Sequence, residues 1–192
     1  MSGRLPYTIA AIALTALLAV AAASILHQET RNLALPLSDA GIIREQASEK
    51  QLDPALIAAV IYAETKFDPR PSSAGAQGLM QILPSTAYYL AHLSGGVSFT
   101  AGDLANPSVN VAYGSYYLRY LLDHYEGDQM LAVAAYNGGL GNVDKWVARA
   151  RAAGRQLSVN EIPFPQTRAY VERVLGAERA YRTTYARQLG IS

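Results

Sequence analysis

Glu64 is the side chain in this sequence best placed to move a proton. Ile57, Val60 and Ile61 follow the spacing of a helix's buried face, and the next position of that series holds a glutamate. Glutamate is among the residues least often buried, so a carboxyl where an aliphatic group would continue the stripe calls for a reason. One reason is structural: the acid sits at the C-terminal end of its helix and turns to solvent, or pairs with Lys66 or Arg70. The other is chemical. Burial disfavours the charged form and raises the pKa, by as much as ~3–5 units in extreme cases, which leaves a proton donor near neutral pH.

The residues after the acid favour the chemical reading. A Phe67-Asp68-Pro69 turn, the small residues Ser72 to Ala76, and then Gly78-Leu79-Met80-Gln81 place flexible backbone and an amide side chain next in the chain. Backbone with so little side-chain bulk can approach a ligand closely. Composition removes several other chemistries. The 192 residues carry 16 basic and 15 acidic side chains, so no electrostatic footprint for nucleic acid is present. Cysteine is absent, which excludes disulfides, thiolate catalysis and cysteine-ligated zinc. His27, His92 and His124 form no metal-ligand spacing such as HExxH, and no metal or other cofactor is expected. Thirteen tyrosines stand against three phenylalanines. A tyrosine offers a ring face and a hydroxyl together, useful for stacking on sugars and equally at home at a core edge.

The elements that must position Glu64 are read from caps and periodicity. Ser38 is a candidate N-cap, with Asp39 in the first turn, for a helix through about Lys50 that buries Ile42, Ile43 and Ala47. Asp53-Pro54, a cap followed by proline at the first helical position, opens the helix carrying Glu64, which Pro69 and Pro71 cannot continue. Gly78 to Ile82 is too short and Gly-flanked for a helix and reads as extended. Pro84 starts a helix to about Leu93, and Ser94 to Gly102 reads as a loop. Asn106-Pro107 repeats the cap-then-proline signal ahead of a long helix with Val111, Leu118, Leu121 and Leu122 along one side. Asp128 caps a short helix, Gln129 to about Tyr136, which Gly138-Gly139 stops. Gly141 to Arg151 is helical around Val143 and Trp146. After Pro163 and Pro165 a last helix, Thr167 to about Gln188, spaces Val171, Val174, Leu175, Tyr181 and Tyr185 as a core stripe. No alternating run argues for a substantial sheet. The expected architecture is mainly α, a single helical domain over residues 33–192, and roughly 160 residues suffice for one core.

Residues 1–32 read differently. Arg4 precedes a weakly apolar run from Ile9 to Leu26, interrupted only by Thr15 and Ser24. At ~1.5 Å per residue this N-terminal apolar helix approaches the ~30 Å of a bilayer's hydrocarbon core. Ala21-Ala22-Ala23-Ser24 offers a cleavage site to a signal peptidase, whereas the length of the run and its continuation through Ile25-Leu26 fit an uncleaved single-pass anchor. Either form keeps Arg4 inside and exports the rest, to the extracytoplasmic face of the membrane or as a secreted protein. His27 to Pro36 reads as a linker.

Several of these stretches occur in a telling order. Glu64-Thr65, the GAQGLMQ run of Gly75 to Gln81, and Ala135-Tyr136-Asn137-Gly138-Gly139 resemble the successive motifs of the soluble-lytic-transglycosylase family, relatives of goose-type lysozyme. Ile162-Pro163-Phe164 followed by Thr167-Arg168-Ala169-Tyr170-Val171 resembles the last motif, which returns a helix to the cleft. The resemblance extends from about Asp39 to Tyr185. It implies a lysozyme-like helical domain, a monomer, acting on peptidoglycan glycan strands of the cell wall.

Glycoside cleavage ordinarily uses two carboxyl groups. Asp68 sits in the Pro69 turn, and Asp103, Asp128 and Glu161 fall at loops or helix starts and read as surface or capping residues. The resembled family works with one glutamate. Glu64 is then the catalytic residue, protonating the β-1,4 bond between N-acetylmuramic acid and N-acetylglucosamine and afterwards taking the proton of the muramyl 6-hydroxyl. That closes a 1,6-anhydro ring. The resemblance further implies substrate binding by Ser72, Met80, Gln81, Tyr136 and Asn137. The Gln81 amide can donate to and accept from an acetamido group, Leu79 and Met80 can form an apolar floor or ordinary core, and Tyr136 is expected to bring its hydroxyl near Glu64.

Four positions depart from the family pattern. Thr65 stands where serine is common, and the interval from Glu64 to Gly75 is one residue short, with counting back from Gly75 selecting Ser72 over Ser73. Leu83 replaces a methionine, and Gln166 replaces a glutamate before Thr167-Arg168. Two rivals remain: a muramidase that hydrolyses the same bond, and a non-catalytic glycan-binding assembly factor. Retention of Glu64, Gln81 and Tyr136 together argues against the second.

Overall fold

Proline at the first helical position opens four of the helices, where its missing N–H costs nothing. The structure, a computed structural model, describes residues 35–70, 72–95 and 99–191, together with Val20. The chain divides into two units, Met1–Pro36 and Leu37–Ser192. The apolar helix expected within residues 1–32 lies outside the described residues apart from Val20. Among the described residues no helix is long and apolar enough to cross a membrane.

The second unit is mainly helical. Helix α1 spans Ala40–Lys50, α2 Pro54–Thr65, α3 Pro84–Ser94, α4 Pro107–His124, α5 Gln129–Gly138, α6 Leu140–Ala152 and α7 Pro165–Thr184, followed by the short α8, Ala186–Leu189. Single 3₁₀ turns fall at Ala101–Ala105 and Val159–Glu161. The caps read from sequence account for the starts of three helices. Asp53 accepts from the Ala55 N–H at 2.9 Å, Asn106 from Ser108 at 2.9 Å, and Asp128 from Leu131 at 3.0 Å.

Helix α2 is the centre of the domain. Every residue from Ala55 to Ile61 is buried, so the helix is apolar all round, as an element surrounded by others must be. Its most extensive contact is with α7, and α5 packs against α4, α6 and α7. Lys66 and Phe67 then take left-handed φ values of 52° and 63°, which ends α2 one residue beyond Thr65. A bulky residue in that region is strained. The Phe67 ring packs at 6.1 Å from Tyr181 of α7, which holds the turn in place.

Three boundaries differ from expectation. Asp39, not Ser38, is the N-cap of α1, in the left-handed region at φ 55°; its side chain makes no capping bond and accepts from the Ser38 hydroxyl at 2.6 Å. The buried face of α1 is Ile43, Gln46 and Ala47, which leaves Ile42 only half buried at its edge. The last helix begins at Pro165 and ends at Thr184, because Tyr185 leaves the helical region at φ −119° before α8 resumes. Leu175 and Tyr185, expected on its core stripe, are half buried.

Candidate active site

The segment between α2 and α3 is a loop pinned from three sides. Gln77 and Ile82 exchange both backbone hydrogen bonds at 3.0 Å, closing Gly78 to Gln81 into a tight loop rather than a strand. Asn110 of α4 is fully buried beneath it. Its amide oxygen accepts from the Met80 N–H at 2.8 Å, and its nitrogen donates to the carbonyls of Gln77 at 2.8 Å and Leu104 at 3.1 Å. Gly78 has φ +72°, and a Cβ there would lie 2.1 Å from the Asn110 amide nitrogen, so only glycine fits. From α2, the Thr65 hydroxyl donates to the Leu79 carbonyl at 2.9 Å, and from α5 the Tyr136 hydroxyl donates to the Met80 carbonyl at 3.0 Å.

Met80 itself is fully buried, and its sulfur rests on the bare backbone of Gly114, where a Cβ would approach to 2.4 Å. Leu79 is likewise buried. These two side chains are core, and Met80 meets the site through its backbone carbonyl. Leu83, which stands in place of the family's methionine, is exposed. Gln81 adopts φ +48°, and its amide nitrogen donates to the carbonyls of Arg70 and Gly78 at 3.0 and 2.9 Å. That amide therefore ties the chain after α2 to the loop. The Ser72 hydroxyl accepts from the Ala76 N–H at 2.9 Å and closes the preceding turn.

Glu64 stands one residue before the end of α2, half buried. Burial raises its pKa from 4.5 to about 7, while the neighbouring Tyr170 hydroxyl and the Arg173 guanidinium, both on α7, pull it down. No second carboxylate among the described residues acts on it. Asp68 pairs with Arg70 at the surface, Asp103 and Glu161 cap their 3₁₀ turns, and Asp128 caps α5.

Two phenols attend the acid. Burial and then the Glu64 charge push both Tyr136 and Tyr170 well above the ordinary phenol range, so each remains a protonated donor. Tyr136 has its proton committed to Met80. Tyr170, 3% exposed, lies beside Glu64 closely enough to lower its pKa, yet its hydroxyl meets no acceptor in ordinary hydrogen-bond geometry. It is a buried donor set against the acid.

Asn137 is tied to α7. Its side-chain oxygen accepts from the Thr167 hydroxyl at 2.9 Å, which joins the end of α5 to the first turn of α7. Gly138 makes that approach possible, since a Cβ there would lie 3.0 Å from the Thr167 hydroxyl. Asn137, Gly138, Phe164, Pro165, Gln166 and Thr167 line a cavity of about 330 Å³. The exposed Gln166 thus borders a cavity in the position where the family pattern carries a charge.

Sequence reasoning passed over Asn110 and Tyr170. The signal for Asn110 was a poor helix former beside Val111, on a stripe otherwise apolar. For Tyr170 it was the i, i+3, i+4 series Thr167, Tyr170, Val171, Val174, all buried.

The fold is that of a lysozyme-like helical domain. The chain belongs to the Transglycosylase SLT domain family, which matches residues 41–159. It is 32% identical over 161 residues to the soluble lytic murein transglycosylase of Escherichia coli K12, an alignment covering 81% of this chain and 24% of that protein. The crystal structure of the 70 kDa soluble lytic transglycosylase from Escherichia coli is similar with a TM-score of 0.74 at 30% identity, over 82% of this chain and 26% of that one. The lytic transglycosylase of Pseudomonas aeruginosa, solved as an inactive glutamate-to-glutamine mutant, gives 0.72 at 30% identity over 79% and 25% of the two chains. The chain thus spans about a quarter of the length of these relatives.

Proposed function

We propose that this domain is a peptidoglycan lytic transglycosylase in which Glu64 serves first as acid and then as base. The observation that carries the reading is the poise of Glu64: half buried, with a pKa of about 7, between two protonated phenols and without a second carboxylate acting on it. A group poised there holds its proton long enough to deliver it and ionises readily enough to retrieve one.

The steps balance without water. Glu64 donates its proton to the glycosidic oxygen as the bond from C1 of N-acetylmuramic acid to O4 of N-acetylglucosamine breaks. The sugar's own acetamido group supports the positive charge at C1, which removes the need for a carboxylate below the ring. The Glu64 carboxylate then takes the proton of the 6-hydroxyl as that oxygen bonds C1, giving the 1,6-anhydromuramyl end and restoring the acid. Tyr170 donates to the carboxylate and can turn to the acetamido oxygen when the strand is bound. Tyr136 and Asn110 hold the Met80 loop against the acid, and Thr65 fixes its far side. Ser72 and Gln81 present the loop to the strand, and Asn137 sets the α5–α7 corner. Met80 contributes from beneath.

The substrate lies outside the cytoplasm, so this reading goes with export by the segment after Arg4, as an anchor or a cleaved signal. Incubating purified sacculi with the full-length chain and identifying products by mass tests the proposal. Anhydro ends are expected. Reducing ends would make the protein a muramidase, and intact sacculi that retain bound protein would make it a glycan-binding module.

A further inference from the structure

At the corner where α4 hands over to α5 lies a cleft that takes no part in the steps above. Its volume is about 350 Å³, and none of its lining residues acts on Glu64. One wall is a stripe of α6, in which Asp144, Val147, Ala148 and Arg151 follow the i, i+3, i+4, i+7 spacing of a single face. The other is the end of α4 and the turn after it, His124, Tyr125 and Glu126, joined by the buried Leu131 of α5.

The α6 stripe carries opposite charges at its two ends and apolar side chains between them. Seven positions separate Asp144 from Arg151, about 10 Å along the axis, too far for the two to neutralise each other. Among the described residues nothing pairs with the Arg151 guanidinium or the Glu126 carboxylate, and both side chains are exposed. Asp144 is half committed. One of its oxygens accepts from the Tyr125 hydroxyl at 3.0 Å and lies 3.0 Å from His124 Nε2, while the other has no hydrogen-bond partner among the described residues. Burial, then the Asp144 carboxylate, holds the Tyr125 hydroxyl well above the ordinary phenol range, so it stays a donor. The Tyr125 ring meets His124 edge-on at 4.7 Å. The carboxylate is therefore aimed before any ligand arrives.

This lining discriminates between ligand classes. Two carboxylates repel a phosphate, a simple cation leaves Arg151 unanswered, and a neutral sugar answers neither charge. No three metal-ligating groups converge among the described residues. A molecule with an ammonium and a carboxylate on a short chain answers both ends, and its body can lie on Val147, Ala148 and Leu131. Two charge-assisted hydrogen bonds of ~2.8 Å take up more than half of the ~10 Å span, which leaves ~5 Å between the ligand's charged groups. That is one to two residues of peptide at ~3.5 Å each. The geometry points to a binding site for the zwitterionic end of a short peptide, its ammonium on Asp144 and Glu126 and its carboxylate on Arg151. Such a group has two sources. One is a peptide branch of the wall polymer with an amine-bearing side chain, in which case the inference rests on the proposed function; the other is a free short peptide.

Alanyl-alanine is the probe, titrated into the nitrogen-15-labelled full-length chain and followed by amide shifts. Saturable shifts are expected, largest over residues 124–126 and 144–151. N-acetyl-alanyl-alanine lacks the ammonium and alanyl-alanine amide lacks the carboxylate, and each should bind about 10-fold more weakly, on the order of one charge-assisted hydrogen bond. Arg151→Gln, at an exposed and unpaired side chain, should erase the difference between alanyl-alanine and its amide and keep the penalty for acetylation. Asp144→Asn combined with Glu126→Gln should do the reverse. That crossed pattern reports recognition, because a damaged fold would weaken all three probes alike. No saturable binding, equal binding of the three dipeptides, or shifts centred elsewhere overturns the site. Co-sedimentation of the Glu64→Gln chain with sacculi then separates the sources. If wall branches are the ligand, adding Arg151→Gln should lower retention about 5-fold on sacculi and by less than about twofold on glycan stripped of peptide. Unchanged retention on both assigns the site to free peptides. Sacculi left uncut by the wild-type chain would sink the proposed function and leave the dipeptide titration, which needs no cleavage, standing.

Discussion

A glutamate stands in a partly dry setting beside each end of α2, Glu178 of α7 at the start and Glu64 at the end, and the two are treated differently. At the start, Glu178 of α7 approaches Asp53, and burial followed by that carboxyl raises its pKa. Arg182 bridges both acids, Gln129 donates to Glu178, and Asp53 also caps the helix. At the other end burial raises Glu64 to about 7, opposed only by Tyr170 and Arg173. Desolvation is the largest cause at both ends. What separates them is saturation: both oxygens of Glu178 are occupied by protein donors, whereas the Tyr170 hydroxyl is the one hydrogen-bonding side chain that acts on Glu64. A raised pKa with every partner in place describes a structural cluster. A raised pKa with few partners and a pinned loop describes a site awaiting a substrate.

The largest effect should come from Glu64→Gln. It keeps shape but moves no proton, and activity on sacculi should fall by about 10³–10⁴-fold, the upper range for one acid–base group. Stability should respond in the opposite sense and with pH. The folded chain holds the Glu64 proton up to about pH 7, while the unfolded chain releases it near 4.5. Wild-type stability therefore falls as pH rises through that window, by roughly 3 kcal/mol as a ceiling, since the side chain is partly exposed. The amide has no such loss. Melting both proteins at pH 4.5, 6 and 8 should show the variant gaining on wild type as pH increases. A constant difference would show that Glu64 is not desolvated.

Next in size is Asn110→Ala, which strips three buried hydrogen bonds from the loop under the acid. At about 1 kcal/mol each the cost is roughly 3 kcal/mol, read by urea denaturation. Activity should fall even where the variant stays folded, because Met80 and Gln81 lose their seat. A stable, fully active variant would show that Thr65 and Tyr136 alone hold the loop.

The start of α2 was legible from sequence and its end only in part. Asp53-Pro54, Asn106-Pro107 and Asp128 signal their helices because a cap is a local event between neighbours in the chain. The stripe Ile57, Val60, Ile61, Glu64 marked the acid for the same reason. Asn110 and Thr65 act through contacts with residues distant in sequence or across helices, which periodicity does not encode, and for Tyr170 periodicity marks burial but not the acid it meets. Gln81 and Ser72 were legible as residue types but not in direction. The positive φ of Gln81 turns its amide back onto Arg70 and Gly78, a consequence of the loop closure between Gln77 and Ile82.

The phenols sharpen the comparison at a smaller scale. Tyr170→Phe removes the hydroxyl set against Glu64 and should lower kcat about 10- to 100-fold, one or two useful hydrogen bonds at ~1.4 kcal/mol per decade. Because Tyr170 lowers the pKa of Glu64, its loss should also move the alkaline limb of the pH–rate profile upward. Tyr136→Phe should cost about 10-fold, since its proton is committed to Met80. Equal losses with an unmoved profile would return both rings to packing roles.

The smallest effect is expected at the saturated end. Glu178→Gln removes one charge from a cluster in which Arg182 is half exposed and Asp53 remains to hold it. Ion pairs of that exposure are worth about 0–1 kcal/mol, and the amide can still bond Gln129 and Arg182. Relief of the unfavourable approach to Asp53 works against the lost pair, so the net change in stability should stay within about 1 kcal/mol. Its pH dependence has a fixed sign: wild type, whose folded-state Glu178 pKa is raised, loses stability as pH climbs through the carboxylate range, and the variant does not. Activity should remain within twofold, because Glu178 acts on the first turn of α2 and Glu64 on the last. A stability loss of several kcal/mol would show that the charged cluster sets the position of α2. A large activity loss without unfolding would mean that α2 transmits strain along its length to Glu64, and that the two ends are one unit.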